Sequence, residues 1–122
     1  MSSKRILVIE DSGTFRTVVR IALQRSGYEV FEAATAEAAC EMLDGRDIRL
    51  VVSDLNLPGM DGLGFVRHLR TTPYKFTPVI MLTTESQQGK KTEAADVGIK
   101  VWITKPFQPS YLIETIKTLC PA

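Results

Sequence analysis

Five residues able to do chemistry stand just after short apolar runs. Glu10 and Asp11 follow Ile6-Leu7-Val8-Ile9, Asp54 follows Leu50 to Ser53, Thr83 follows Val79 to Leu82, and Lys105 follows Ile99 to Thr104. Three carboxylates brought together raise one another's pKa unless a cation intervenes. A hard divalent ion resolves that repulsion, and Mg²⁺ takes one or two carboxylates together with waters and phosphate oxygens. Lys105 adds a donor for a phosphoryl oxygen or a free carboxylate. Thr83 adds a hydroxyl donor. Positioning and charge neutralisation are what phosphoryl transfer requires, and a carboxylate can itself attack to form an acyl phosphate. Each residue alone has a plainer reading as a helix cap or a solvated loop side chain. It is the joint set, at four of five strand ends and all suited to one reaction, that carries weight.

The elements that must position these groups are legible from periodicity. Ile6 to Ile9 is a continuous apolar run, as expected of a strand buried on both faces. Phe15, Val18, Val19 and Ala22 recur at helical spacing, and Gly27 can close that helix. Tyr28 to Phe31 reads as a second strand, followed by a helix through Ala39, Met42 and Leu43 that stops near Gly45. Leu50 to Val52 forms the third strand and runs into Ser53-Asp54. After the Pro58-Gly59 turn comes a helix carrying Leu63, Val66 and Leu69. Pro78 opens the fourth strand, Val79 to Leu82, and a more polar helix is expected from Ser86 to Val97, ending at Gly98. Ile99 to Ile103 is the fifth strand. Pro109 suits the first turn of a last helix that would bury Leu112, Ile116 and Leu119. Strand–helix alternation repeated five times implies an α/β, doubly wound parallel sheet with right-handed crossovers. In such sheets ligands bind beyond the carboxyl ends of the strands, which is where the five residues collect.

Composition narrows the possibilities. The 122 residues suit one domain, expected to span 1–122, with no output domain attached. A hydrophobic fraction of 44% supplies a core. Fifteen basic residues against fourteen acidic ones give a net charge of +1, with no general attraction to nucleic acid or an anionic membrane. The N-terminal apolar run is too short for a signal peptide or a membrane span. Cys40 and Cys120 lie far apart, without zinc spacing or a disulfide framework. A reduced, cytoplasmic protein is expected.

The ordered motifs resemble the receiver domains of two-component response regulators, the CheY-like family. They are Val8-Ile9-Glu10-Asp11-Ser12, Ser53-Asp54-Leu55-Asn56-Leu57-Pro58-Gly59-Met60-Asp61-Gly62, Leu82-Thr83-Thr84-Glu85-Ser86 and Lys105-Pro106-Phe107. The resemblance covers Arg5 to about Leu119. It implies the flavodoxin-like (βα)5 fold, a five-stranded parallel sheet in the order 2-1-3-4-5. By the same resemblance Asp54 is the phosphoacceptor, Asp11 a direct metal ligand with Asp54, and Glu10 a ligand through water. Asn56 would offer its backbone carbonyl to Mg²⁺, for which Mn²⁺ can substitute. Thr83 would bond the phosphoryl group and move toward it. Lys105 would pair with a phosphoryl oxygen, before a cis peptide bond to Pro106. The side chains of Asn56 and Glu85 stand where family members tune hydrolysis of the phosphoaspartate, a self-reset that does not make the protein an enzyme.

Implied partners are a sensor histidine kinase or phosphotransfer protein, a downstream protein such as a flagellar motor switch component, and a phosphatase. Nucleic acid and membrane are not expected partners, and a monomer is. The Asp11-Ser12 pair, the Thr84-Glu85-Ser86 run and Val101-Trp102-Ile103 look like the chemotaxis type. The alternative is a stand-alone receiver that shuttles or drains phosphoryl groups in a multistep phosphorelay.

Two residues depart from the family pattern. Trp102 stands where Tyr or Phe is usual, and Thr84 is bulkier than the small residue common there. Both bear on whether inward rotation at position 102 is the switch; the other reading is that Trp102 packs or faces a partner. Lys90 and Lys91 read as a solvated helix face rather than a docking patch. His68 reads as a surface residue and Cys40 as packing, while Cys120 is expected near a fraying, reactive terminus. A phosphatase with an aspartate nucleophile would need an acid–base aspartate where Asn56 stands. A flavodoxin-like cofactor carrier would need a phosphate cradle where the acidic Glu10-Asp11 lies. A degenerate receiver would have lost motif residues that are present.

Overall fold

Strands of hydrophobic, β-branched residues can be buried on both faces only if helices cover both sides of the sheet. The computed structural model, which describes residues 4–122 apart from 88, 94 and 100 and gives only the backbone at 85, 93 and 95, has that layered arrangement. The order is β1 (Arg5–Ile9), α1 (Gly13–Arg25), β2 (Glu29–Ala33), α2 (Ala36–Glu41), β3 (Leu50–Asp54), α3 (Gly62–Leu69), β4 (Val79–Thr83), α4 (Lys90–Glu93), β5 (Val101–Thr104) and α5 (Pro109–Leu119). All neighbouring strands pair in parallel, in the order β2-β1-β3-β4-β5.

Alternation along each strand splits the core in two. Leu7, Ile9, Val51 and Met81 face α2 and α3, where they pack with Phe65, Val66 and Leu69. Ile6, Val8, Val52, Ile80 and Ile103 face α1 and α5, packing with Val19, Leu23, Leu112 and Ile116. Helix starts are fixed by side-chain caps, which satisfy otherwise orphaned amides. Ser12 Oγ accepts from Phe15 N at 3.2 Å, Thr35 Oγ1 from Ala38 N at 3.0 Å, and Asp61 Oδ1 from Gly64 N at 2.8 Å. Because Ser12 directly follows Glu10 and Asp11, its cap also pins the short loop after β1 that carries those two carboxylates.

Several boundaries differ from the sequence expectation. β2 starts at Glu29, since Tyr28 turns into the core and donates to the Cys120 carbonyl at 2.6 Å. β5 starts at Val101 rather than Ile99. On α1 the inward stripe is Val19 and Leu23, and Val18 is left 47% exposed, about a quarter turn away. On α5 the four-residue step from Leu112 to Ile116 lands next on Cys120, so Leu119 points outward and Cys120 is buried. Burial pushes the Cys120 thiol above its ordinary pKa, the opposite of the reactive terminus expected.

Residues 88 and 94 of the helix expected from 86 to 97 lie outside the described residues; the described ones form a 3-10 turn at Glu85–Gln87, the short α4, and a second 3-10 turn at Ala95–Val97. Between Ser86 and Val97 the sequence offers two alanines and one valine as apolar material. That is too little to hold a long helix by packing, which is where most helical stability arises in proteins.

Candidate functional site

The parallel register sets the rim. Ile9 pairs with Ser53, Asp54 with Leu82, and Thr83 with Thr104, so the residues after β1, β3, β4 and β5 emerge side by side. Backbone bonds continue the ladder past the strands: Leu55 N donates to Leu82 O at 2.8 Å and Lys105 N to Thr83 O at 2.7 Å. Glu10, Asp54 and Thr83 are buried, whereas Asp11 and Asn56 are exposed. The cluster therefore has a closed floor and an open mouth.

Lys105 is its centre. The ammonium donates to Asp54 Oδ2 at 2.7 Å and to Glu10 Oε2 at 3.2 Å, and it lies 4.7 Å from the centre of the Phe15 ring. Asp54 Oδ1 accepts from the Asn56 amide at 3.0 Å, so both oxygens of the carboxylate are held. Glu10 Oε1 accepts from Ser12 N at 3.2 Å, and its main-chain carbonyl accepts from Arg16 Nη1 at 2.7 Å. Single ligand atoms of Glu10, Asp11 and Asp54 lie within 4.8 Å of one another. Phe15 meets Phe107 edge to face at 5.7 Å and walls one side. The Lys105–Pro106 peptide bond is cis.

One ammonium does not offset three carboxylates. Burial, with hydrogen bonding to and repulsion by Asp54, pushes the Glu10 carboxyl up to about 7 against the pull of Lys105 and the Ser12 amide. Lys105 is also raised: burial pulls it down, but its bonds and attraction to Asp54 and Glu10 outweigh that. A carboxyl whose folded pKa exceeds its ordinary 4.5 contributes stability fully below 4.5, and loses it as pH rises through about 7. Metal-free protein is therefore expected to melt at a lower temperature at pH 7.5 than at pH 5, by a difference on the order of 2 kcal/mol in stability. Circular-dichroism melts in EDTA measure it, and Glu10→Gln should flatten the slope. An unchanged slope in that variant would assign the effect elsewhere.

The other sequence-derived residues fall in less central places. Thr83 donates at 3.2 Å both to the Thr84 carbonyl and to Gln87 Oε1. The side chain of Glu85 lies outside the described residues. Trp102 is half-buried in the α2–α3 layer beside its register partner Met81, and its indole N–H donates to Ile99 O at 3.2 Å. His68, Lys90 and Lys91 are exposed.

Sequence reasoning passed over Arg16, Gly62 and Gln87. Arg16 bridges Glu10 O to Glu32 Oε1, the latter at 3.2 Å, and one helical turn separates it from Ser12. Gly62 lies against the backbone of Asp54. Gln87 has no periodicity or motif to mark it.

The family model for the response regulator receiver domain matches residues 6–117. The chain is 36% identical over 118 residues to the chemotaxis protein CheY1 of Helicobacter pylori, covering 94% of this chain and 95% of that protein. It is 33% identical to the phosphate regulon transcriptional regulatory protein PhoB of Escherichia coli, over 96% of this chain but 52% of PhoB. Among solved structures, the Vibrio cholerae chemotaxis protein CheY4, crystallised at low pH, superposes with a TM-score of 0.90 at 38% identity. That match covers 97% of this chain and 99% of CheY4.

Proposed function

The chain belongs to the response regulator receiver domain family, and from that membership we propose that Asp54 accepts a phosphoryl group from the phosphohistidine of a sensor kinase or phosphotransfer protein. One observation carries the assignment to this residue. Asp54 is a buried carboxylate at a strand end, gripped by Lys105 at 2.7 Å and by the Asn56 amide at 3.0 Å, with two further acids beside it.

Asp54 attacks the phosphorus, the new O–P bond forms as the histidine N–P bond breaks, and the imidazole leaves with the electron pair. Lys105 is placed to stay with the transferred group, exchanging a carboxylate oxygen for a phosphoryl oxygen. Thr83, one residue beyond the register partner of Asp54, is the hydroxyl available to a second phosphoryl oxygen. Asn56 is exposed two residues after Asp54, and its side chain would tune attack of water on the acyl phosphate.

The donor set fits a hard divalent cation: three carboxylates, all oxygen, converge where a single ammonium leaves excess negative charge. Asp11 and Asp54 would hold Mg²⁺ directly, with the Asn56 carbonyl, and Glu10 through water; Mn²⁺ would fit the same donors. When bound, the ion would offset the charge shared between nucleophile and phosphoryl oxygens.

The near-complete coverage of CheY1, with the likeness to CheY4, supports a role in chemotaxis through phosphorylation-dependent binding to a protein target. Free Cys40 and Cys120 support a reducing, cytoplasmic setting. No helix among the described residues is long and apolar enough to cross a membrane.

Intact mass after incubation with acetyl phosphate tests the proposal. A gain of one phosphoryl group is expected with Mg²⁺, falling to background when EDTA replaces it. No gain from acetyl phosphate and no binding of beryllofluoride would overturn the reading.

A further inference from the structure

The hydroxyl of Thr83 is already engaged. Its single proton is divided between Thr84 O and Gln87 Oε1, each at 3.2 Å. Gln87 Oε1 also accepts from the Thr84 amide and the Thr84 hydroxyl, both at 3.1 Å. A backbone N–H can only donate, so the Thr84 contact fixes the orientation of the Gln87 amide with its oxygen toward Thr83. The arrangement is reinforced by Gln87 N donating to Thr84 O at 3.1 Å and by the Thr84–Ser86 hydroxyl contact at 2.9 Å. The carbonyl end of one side chain thus gathers three donors and closes the 3-10 turn at Glu85–Gln87.

A hydroxyl cannot give its one proton to two acceptors at full strength. To donate to a phosphoryl oxygen on Asp54, Thr83 must withdraw from Gln87 and Thr84. We infer that Gln87 is a positioning residue that acts through Thr83, holding its hydroxyl in the unphosphorylated arrangement and setting how readily the site responds to a phosphoryl group. This rests on the receiver reading of Asp54 and adds a specific counterweight to it. A ligand's apparent affinity falls with the fraction of protein already in the competent arrangement, so loosening the latch strengthens binding.

The test is calorimetric titration of the full chain with beryllofluoride in Mg²⁺, comparing wild type, Gln87→Ala, Gln87→Glu, Thr83→Val and the double variant Thr83→Val/Gln87→Ala. Loss of one neutral hydrogen bond corresponds to a gain in affinity of about fivefold for Gln87→Ala. Gln87→Glu retains an acceptor and should show no such gain. In the Thr83→Val background Gln87→Ala should change nothing, an outcome that a general loosening of the turn would not produce. Amide exchange of metal-free protein gives a separate reading, since Thr84 N should lose protection in Gln87→Ala and keep it in Gln87→Glu. Unchanged or weaker binding by Gln87→Ala, or a gain that persists without the Thr83 hydroxyl, overturns the inference while wild-type binding leaves the receiver reading intact. Absence of beryllofluoride binding by wild type overturns the inference, and together with no gain from acetyl phosphate it overturns the receiver reading as well.

Discussion

Asp54→Asn protein is expected to gain no phosphoryl mass from acetyl phosphate and Mg²⁺ under conditions that label the wild type, and to remain folded. The amide is nearly isosteric but is neither anionic nor a competent nucleophile, so the O–P bond cannot form. The ion pair of 2.7 Å with Lys105 is lost, yet Lys105 keeps Glu10 at 3.2 Å, so no charge is left buried and alone. Removing the Asp54 charge also removes one of the causes that raise Glu10, which eases the metal-free site at neutral pH. Mass spectrometry with a melt on the same sample separates chemistry from stability. Full labelling of the variant would move the acceptor to another residue. A collapse in melting temperature would show that Asp54 is needed for the fold, leaving its chemistry to be tested by a different substitution.

Gly62→Ala is expected to destabilise the protein by about 3 kcal/mol, toward the upper end for overpacking. The sign is the informative part. At a helix position, Gly to Ala ordinarily stabilises by up to about 1 kcal/mol through backbone entropy. Here an added Cβ would meet Asp54 O at 2.5 Å, Met81 Sδ at 2.9 Å and Leu55 Cα at 3.0 Å. Two of those three atoms are backbone and cannot swing aside. Either α3 retreats from the sheet or the end of β3 moves, and the latter displaces Asp54. Thermal melts should show a drop of roughly 10 °C. Gly64→Ala is the control: its tightest neighbour is Met60 Cγ at 2.7 Å, on a flexible and exposed side chain, so the change should be small. Equal effects at both positions would count against close packing as the cause.

What could be read from the sequence followed from its strongest periodic signals. Apolar runs such as Ile6–Ile9 and Val79–Leu82 admit few alternatives to a buried parallel strand, and the rule that ligands collect at carboxyl ends then selects Glu10, Asp11, Asp54, Thr83 and Lys105. Legibility fell where the driving force was weak or depended on distant residues. The residues from 86 to 97 tolerate helix, but they offer little apolar surface to bury. Val18 and Leu119 looked inward because they lie within one residue of the true stripe, and only the docked sheet decides between neighbours. The close approach of Gly62 to Asp54 needs two segments in place before it exists. Gln87 and Arg16 act through single polar contacts, which leave no pattern along a chain.

The ion pairs of Lys105 span 95 residues to Glu10 and 51 to Asp54. During synthesis all three acids, together with β1 and β3, therefore leave the ribosome before the ammonium that steadies them. A nascent chain lacking β5 holds the carboxylates without the cation that grips Asp54 Oδ2, and without the backbone donor that Lys105 N supplies to Thr83 O. On the proposed reading, the full set of groups facing Asp54 is therefore assembled only once the fifth strand is in place.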